Sequence, residues 1–359
     1  MSWLLAFAGF ALLIILHELG HFSAAKAVGM RVERFSLFFP PTLLRKKVGE
    51  TEYAIGAIPA GGYVKISGMN PDESLPDEVR TRAYYAQPVW KRIVVIAAGP
   101  AVNLVLAFAL LIVFFWLIGP ETVSGRVGVI DRGYPAARVL RHGDRLLAVD
   151  GQRGAPAKLS RLIASHHCAR QPPVQGCQAA RPATLLVQRG DQRLTLRVRP
   201  IYDAQNRRTR LGFSYAPGAR EPMPFGQAVS VAGDRFWFIT KATVSLPARL
   251  FNPQKRKEIT GVVGSYEVTR QTILNDTAQV VGILAIISLS LAIVNLFPFL
   301  PLDGGHIFWA LVEKVRRRPV PFSVMERAGV VGFMLVIGLF LIGLTNDINR
   351  LTGQGFNVR

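Results

Sequence analysis

The sequence predicts a polytopic α-helical membrane protein with four transmembrane helices, a membrane-associated β-hairpin and an extracytoplasmic β-rich domain. Three observations carry that expectation. Half of the 359 residues are apolar and only 18% are charged. The apolar residues are bunched into blocks, Trp3–Ala25, Ile93–Ile118, Val280–Phe297 and Ala328–Leu344, of 17 to 26 residues each. As helices these span roughly 25–39 Å at 1.5 Å per residue, enough to cross a hydrocarbon core of about 30 Å. The basic residues of the short connections fix the orientation. Ten Lys and Arg lie between Arg31 and Arg92, and Lys314 with Arg316-Arg317-Arg318 follow the third block. The bias of Lys and Arg toward the cytoplasmic side places both connections inside. The N-terminus, the 119–278 loop and the C-terminus are then expected outside.

The first block resembles a signal peptide only in its apolarity. No positive charge precedes it, no clean small-residue cleavage site follows, and His17, Glu18 and His21 lie within it, so it reads as a retained span. Disorder, collagen-like and repeat architectures are excluded by composition. A net charge of +20 raises nucleic acid as a partner, but its distribution opposes that. The 119–278 loop holds 25 Lys and Arg against 11 Asp and Glu, without aromatic residues interleaved in an RNA-binding manner. A basic solvated surface near anionic lipid is the simpler reading, and no nucleic-acid partner is expected.

Four regions follow. Residues 1–118 carry spans 1 and 2 with the cytoplasmic hairpin region, and residues 119–202 the β-rich domain. Residues 203–278 form a linker with an amphipathic helix over Phe225–Phe251, and residues 279–359 carry spans 3 and 4. Between spans 1 and 2, alternating apolar residues over Glu52–Ile66, interrupted at Pro59–Gly62, read as a hairpin or meander. In the outer loop, Val127–Ile130, Asp144–Gln152, Thr184–Gln188 and Arg193–Val198 read as strands, and Tyr134–Leu140 as a short helix. Asp203–Arg210 reads as a polar linker or hairpin tip. The broken apolar pattern of Phe225–Phe251 suits a helix lying in the membrane interface. Cys168 and Cys177 both fall in the outer loop, where a disulfide is chemically possible, although two buried thiols leave the same trace in sequence.

The strongest chemical signal is His17-Glu18-Leu19-Gly20-His21. On a helix, positions i and i+4 share a face, so both imidazoles can hold one metal ion with Glu18 beside it. An ionisable cluster inside an apolar span costs several kcal/mol unless it is paired or metal-bound. Two histidines leave a catalytic zinc one protein ligand short. Asp303, His306 and Glu313 are the candidates near span 3, while His142, His166 and His167 lie in the outer loop. Asp303 stands beside a membrane-embedded stretch, Asn295-Leu-Phe-Pro-Phe-Leu-Pro-Leu-Asp303-Gly-Gly-His306, whose prolines break the helix. Irregular backbone at membrane depth makes sense where it lines a polar site. His306 remains the alternative third ligand.

With HELGH at 17–21, NLFPFLPLDGGH at 295–306, GPAVN at 99–103 and GAIPAGGYVK at 56–65, the chain resembles the site-2 protease family of intramembrane zinc metalloproteases, in its bacterial branch. The 126–152 stretch is similar to that family's PDZ domain, and Thr345–Leu351 also fits. Two departures stand out. Leu300 occupies the family's second proline position with Pro301 one place later, and Gly261-Val-Val-Gly264 replaces Gly-Pro-x-Gly.

The resemblance implies Zn2+ held by His17, His21 and Asp303, with Glu18 as general base and Asn295 contacting substrate or the developing oxyanion. It implies that the hairpin, through Gly56, Gly61, Gly62, Tyr63 and Val64, guides an unwound substrate as an added strand. It further implies a peptide groove at Val127, Gly128 and Val129. The implied partners are the lipid bilayer, single-span membrane proteins such as anti-sigma factors or remnant signal peptides, and an upstream site-1-type protease that acts first. The implied setting is the cell inner membrane, in regulated intramembrane proteolysis. The competing readings are a non-proteolytic receptor bearing a PDZ domain and a structural zinc site, and a metal transporter. Structural zinc sites are normally closed by four ligands, and spans 2 and 4 offer almost no polar residues to a transport path.

Overall fold

Four helices of the computed structural model are long and apolar enough to cross a membrane: Leu4–Ala27, Val89–Ile118, Thr277–Asn295 and Ser323–Thr352. The structure describes residues 2–70, 73–170, 172–204, 206–256 and 259–352. The second and fourth helices outrun their apolar blocks. Helix Val89–Val113 begins in the charged Lys91-Arg92 segment, and helix Phe322–Thr352 continues through Asn346 and Asp347. Both extensions are explained by polar partners. Arg92 is buried and its guanidinium makes a two-pronged bond to Glu313, at 2.6 and 2.9 Å, the fork-to-fork geometry favoured by Arg and carboxylate. Asp347 is fully buried and accepts from the backbone amides of Gly261 and Gly264, at 3.1 and 2.7 Å.

Those two amides open the helix Val262–Asn275. The first N–H groups of a helix have no partner within it, and an anion there also meets the positive end of the helix dipole. Asp347 supplies that anion from another helix. Next to it, Asn346 donates to the carbonyls of Arg256 and Ile259. The Gly261-Val-Val-Gly264 and Thr345–Leu351 motifs are thus two halves of one junction.

Chain Ile118–Pro222 and the remainder, Met1–Leu117 with Met223–Arg359, form two compact units. In the larger unit, β1 (Val32–Val48) and β2 (Thr51–Ile66) pair antiparallel. Each folds back on itself. Leu37 pairs with both Gly62 and Ile55, and Thr42–Val48 pairs along Gly56–Thr51. The bends fall at Phe38, whose φ is 71°, and at Gly61, whose φ is 153°. Four short strands result, in the spatial order 42–48, 51–56, 32–37 and 62–66, where the sequence suggested a hairpin or meander over Glu52–Ile66 alone. Segment 62–66 is an outer edge. The ends of this sheet are anchored by Val32 and Ile66, which pack with Ala25 of span 1, Met30 just beyond it, and Val95 and Ile96 of span 2.

The helix Phe225–Val244 was expected to lie in the membrane interface. One stripe of it packs on protein, while Phe225, Trp237, Phe238 and Val244 stay exposed. Ile239 joins Ala107, Leu289 and Ile293, and Ala232 joins Leu111 and Ala285. Small residues along that stripe let it lie close to the second and third spans, which burial of its apolar face rewards.

The smaller unit is built on a sheet in which β3 (Glu121–Ile130) lies between β4 (Arg145–Val149) and β10 (Phe213–Arg220). Strands β6 (Ala183–Arg189) and β7 (Gln192–Val198) continue it beyond β4, and β5 (Gln152–Arg153) pairs with β4. The unit runs to Pro222 rather than ending at 202, because β10 returns to pair with β3. Before β10 in sequence, β8 (Ile201–Asp203) and β9 (Arg208–Arg210) form a hairpin where the sequence left a polar linker or a hairpin tip open. Helix Pro156–Ala164 was not read from sequence; it buries Leu159 and Ile163 in the same core as Val127, Leu146, Val149 and Leu185. Cys168 and Cys177 are joined by a disulfide, with Cα atoms 5.9 Å apart.

Two outcomes follow from these junctions. Asp347→Ala strands two backbone amides and should cost about 1–3 kcal/mol, read as a lower melting temperature of the purified chain in detergent; an unchanged melting temperature contradicts the capping role. Glu50 receives bonds from Arg82 and Lys26 at 2.7–2.8 Å. Its carboxyl is held down to about 2 from 4.5, by Arg82 first and Lys26 second. A depressed carboxyl stabilises fully above its unfolded value, and that stability disappears as pH falls from 4.5 toward about 2. Because Glu50 is about a third exposed, the gain over Glu50→Gln should be only about 1 kcal/mol at neutral pH. Paired melting curves from pH 7 downward should converge in the acid range.

Candidate metal centre

Helix Ser2–Ala27 places His17 and His21 one turn apart on one face. Both are buried, their rings meet edge to face with centroids 4.8 Å apart, and their Nε2 atoms lie 3.2 Å from each other. The third group comes from the far end of the chain. After Asn295 the third span stops, and the chain turns through Leu296–Leu302 before a new helix begins at Asp303. Pro298 and Pro301, lacking N–H groups, suit this break. Asp303 therefore sits in the first turn of helix Asp303–Arg316, where a carboxylate is favoured. Gly304 and Gly305 are buried, and a Cβ on either would strike the backbone of Leu296–Leu300. The pair of glycines lets the new helix start tightly against the preceding turn.

Asp303 Oδ2 lies 3.2 Å from His17 Nε2 and 3.4 Å from His21 Nε2. These three atoms form a nearly equilateral triangle, and the three residues make a group able to hold one metal ion. Ligands at about 2.0–2.1 Å around a tetrahedral ion are separated by roughly 3.3–3.4 Å. The donor set fits. Oδ2 is also buried without a directed hydrogen bond, an arrangement a cation relieves. The sequence left Asp303 and His306 as alternatives for the third position. His306 lines the same cleft but lies outside the triangle, and Glu313 is taken by Arg92.

A cleft of about 400 Å3 opens on this triangle, and Glu18, Asn295, Gly61, Gly62, Tyr63 and Val64 line it. Asn295 Nδ2 reaches to 3.5 Å from His17 Nε2. Segment 62–66 runs beside Glu18, since a Cβ on Gly62 would come within 3.0 Å of Glu18 Cγ. Gly56 is not brought to the cleft. It pairs with Thr42 inside the sheet, and its missing side chain makes room for the Phe39 carbonyl. Val127 is bonded on both sides of its strand. It pairs with Tyr215 on one side and bonds Asp144 and Gly143 on the other, and its side chain is buried in the core.

Sequence reasoning gave no role to the neighbours that hold the imidazoles. His21 Nδ1 donates to the Val95 carbonyl at 2.9 Å. The ring rests on Gly99, where any Cβ would overlap it. Asn103 Nδ2 is 3.4 Å from His17 Nδ1. The visible signal was the Gly99-Pro-Ala-Val-Asn103 stretch, whose glycine and asparagine both face the site.

The family model for peptidase family M50 matches residues 5–339. A protein of Nostoc sp. named as a candidate zinc metalloprotease is 31% identical, over 99% of this chain and 98% of its own length. A similarly named protein of Clostridium perfringens is 31% identical, over 97% of this chain and 98% of its own. Metalloprotease MmpA of Caulobacter vibrioides is 30% identical, over 95% and 93% respectively. The resemblance to the site-2 proteases read from the motifs therefore holds across the chain, which belongs to peptidase family M50.

Proposed function

We propose that this M50 peptidase is an intramembrane zinc metalloprotease that hydrolyses peptide bonds in or near the transmembrane segments of single-span membrane proteins. The observation that carries the reading is the triangle of His17 Nε2, His21 Nε2 and Asp303 Oδ2, three donors of a zinc-binding type facing an open cleft. His17, His21 and Asp303 would hold the ion. Bound there, zinc supplies Lewis acidity, making water nucleophilic near neutral pH and polarising a carbonyl. Glu18, in the same cleft, takes a proton from the attacking water and returns it to the leaving amide nitrogen. The Asn295 amide donates to the carbonyl oxygen as negative charge develops on it.

A transmembrane helix has its amides bonded internally, so cleavage requires an extended substrate segment. The outer edge of 62–66 beside Glu18 supplies backbone partners for such a strand, through strand addition. We further infer that the smaller unit is a PDZ-like module on the outer side of the inner membrane, following the charge bias of the loops. Peptide capture there would use the free edge of β10 beside helix Pro156–Ala164, where Ser160, Ile163, Gly212 and Phe213 line a small cavity. The substrates would be remnants left by an upstream protease, such as trimmed anti-sigma factors or signal peptides. A receptor with a structural zinc site is disfavoured by the three-donor set and the adjacent carboxylate of Glu18.

The test is co-expression of the chain with a tagged single-span substrate, followed by mapping of any cut within the span. Glu18→Gln should retain zinc and abolish cleavage, and full activity in that variant refutes the assigned base. Asp303→Asn should lose zinc on dialysis; unchanged metal content counts against it as a ligand. Proline at Tyr63 or Val64 removes one edge N–H. Because alternate amides of a strand point to opposite sides, one of the two variants should raise KM for the substrate while both stay folded. Equal, wild-type kinetics for both variants reject strand addition.

A further inference from the structure

His17 and His21 need the same tautomer if both Nε2 atoms are to present lone pairs to one ion. For His21 the fold ensures it. The Val95 carbonyl, 2.9 Å from Nδ1, can only accept, so the proton must be on Nδ1 and Nε2 is left free. Such a partner on the far nitrogen is the usual companion of a metal-binding imidazole. The corresponding neighbour of His17 is Asn103. It is fully buried, and its amide faces His17 Nδ1 at 3.4 Å. Its other end, Oδ1, is buried without a hydrogen-bond partner. The Asn103 backbone is fixed as well, because its carbonyl accepts from the buried Ser288 hydroxyl of the third span at 2.9 Å.

An amide nitrogen facing Nδ1 requires a lone pair there, which puts the imidazole proton on Nε2, in the middle of the donor triangle. The two ends of an Asn side chain have the same shape and exchange by rotation about one bond. With the ends exchanged, Oδ1 gains the donor it lacks and Nδ1 keeps the proton. We propose that Asn103 is a positioning residue for His17. Its amide oxygen accepts the Nδ1 proton and so holds the ring in the tautomer whose Nε2 faces His21 and Asp303. This rests on the metal-site reading above and adds a member to that site from the second span. Asn103 thus does for His17 what the Val95 carbonyl does for His21.

The experiment measures zinc affinity by chelator competition on the purified full chain in detergent, with Co2+-substituted absorption spectra as a second readout. Wild type should hold the metal and His17→Ala should lose it; equal retention by both removes the metal-site reading itself. With that established, Asn103→Leu, similar in shape but without an acceptor, should weaken zinc binding roughly 10–100-fold and alter the Co2+ spectrum. Asn103→Asp, which can only accept, should retain affinity within a few-fold of wild type. Wild-type affinity in a folded Leu variant overturns the proposal. So does an Asp variant that binds zinc far more weakly than wild type, because Nδ1 would then need a donor. Should the Leu variant fail to fold, the Asp variant alone decides.

Discussion

Two imidazoles and a carboxylate gathered among apolar helices are the constraint on which the rest of the structure depends. Each group would be costly to bury alone, and together they are tolerable because they face one another across 3.2–3.4 Å. Much of the surrounding architecture serves that meeting. The third span ends where a polar residue is needed, and paired glycines start a new helix tightly against the turn. The first span contributes one face of a single helical turn, and the second lies close enough that only glycine fits beneath the His21 ring.

The division of labour between the helices is chemical as well as steric. The first span and the Asp303 helix provide the donor atoms, and the second supports them from behind through a carbonyl and an amide. Arg92, at the start of that second span, grips Glu313 on the Asp303 helix. The supporting helix is thereby tied to the helix that carries the carboxylate. Position at the site is therefore set by bonds formed well away from it.

The parts of the site that were legible in sequence are those governed by local periodicity. His17 and His21 share a face because four residues make about one turn, and Asp303 was marked by prolines that break a span. The four apolar helices were legible for the same reason, since bilayer thickness sets a length that composition reveals. What escaped was long-range. Nothing local announces that Leu37 has two strand partners, or that Phe213–Arg220 returns to pair with Glu121–Ile130. Helix Pro156–Ala164 is short, and its apolar face became evident only against the sheet. The last apolar block ends at Leu344, but its helix runs on past Asp347 because that carboxylate has a buried partner. The amides that satisfy it lie more than eighty residues earlier.

Were a substrate helix to enter sideways from the lipid, as the proposed function would have it, that buried aspartate would bear on which flank could part. It fastens the fourth span to the segment entering the third, by bonds that strengthen as water is excluded. A sideways opening along this seam would have to tear a charge from its cap. The strand 62–66, by contrast, is an outer edge of its sheet, held by pairing to 32–37 and by the Lys65–Glu33 ion pair. On the proposed reading, a segment added along that edge would lie beside the cleft that Glu18 lines.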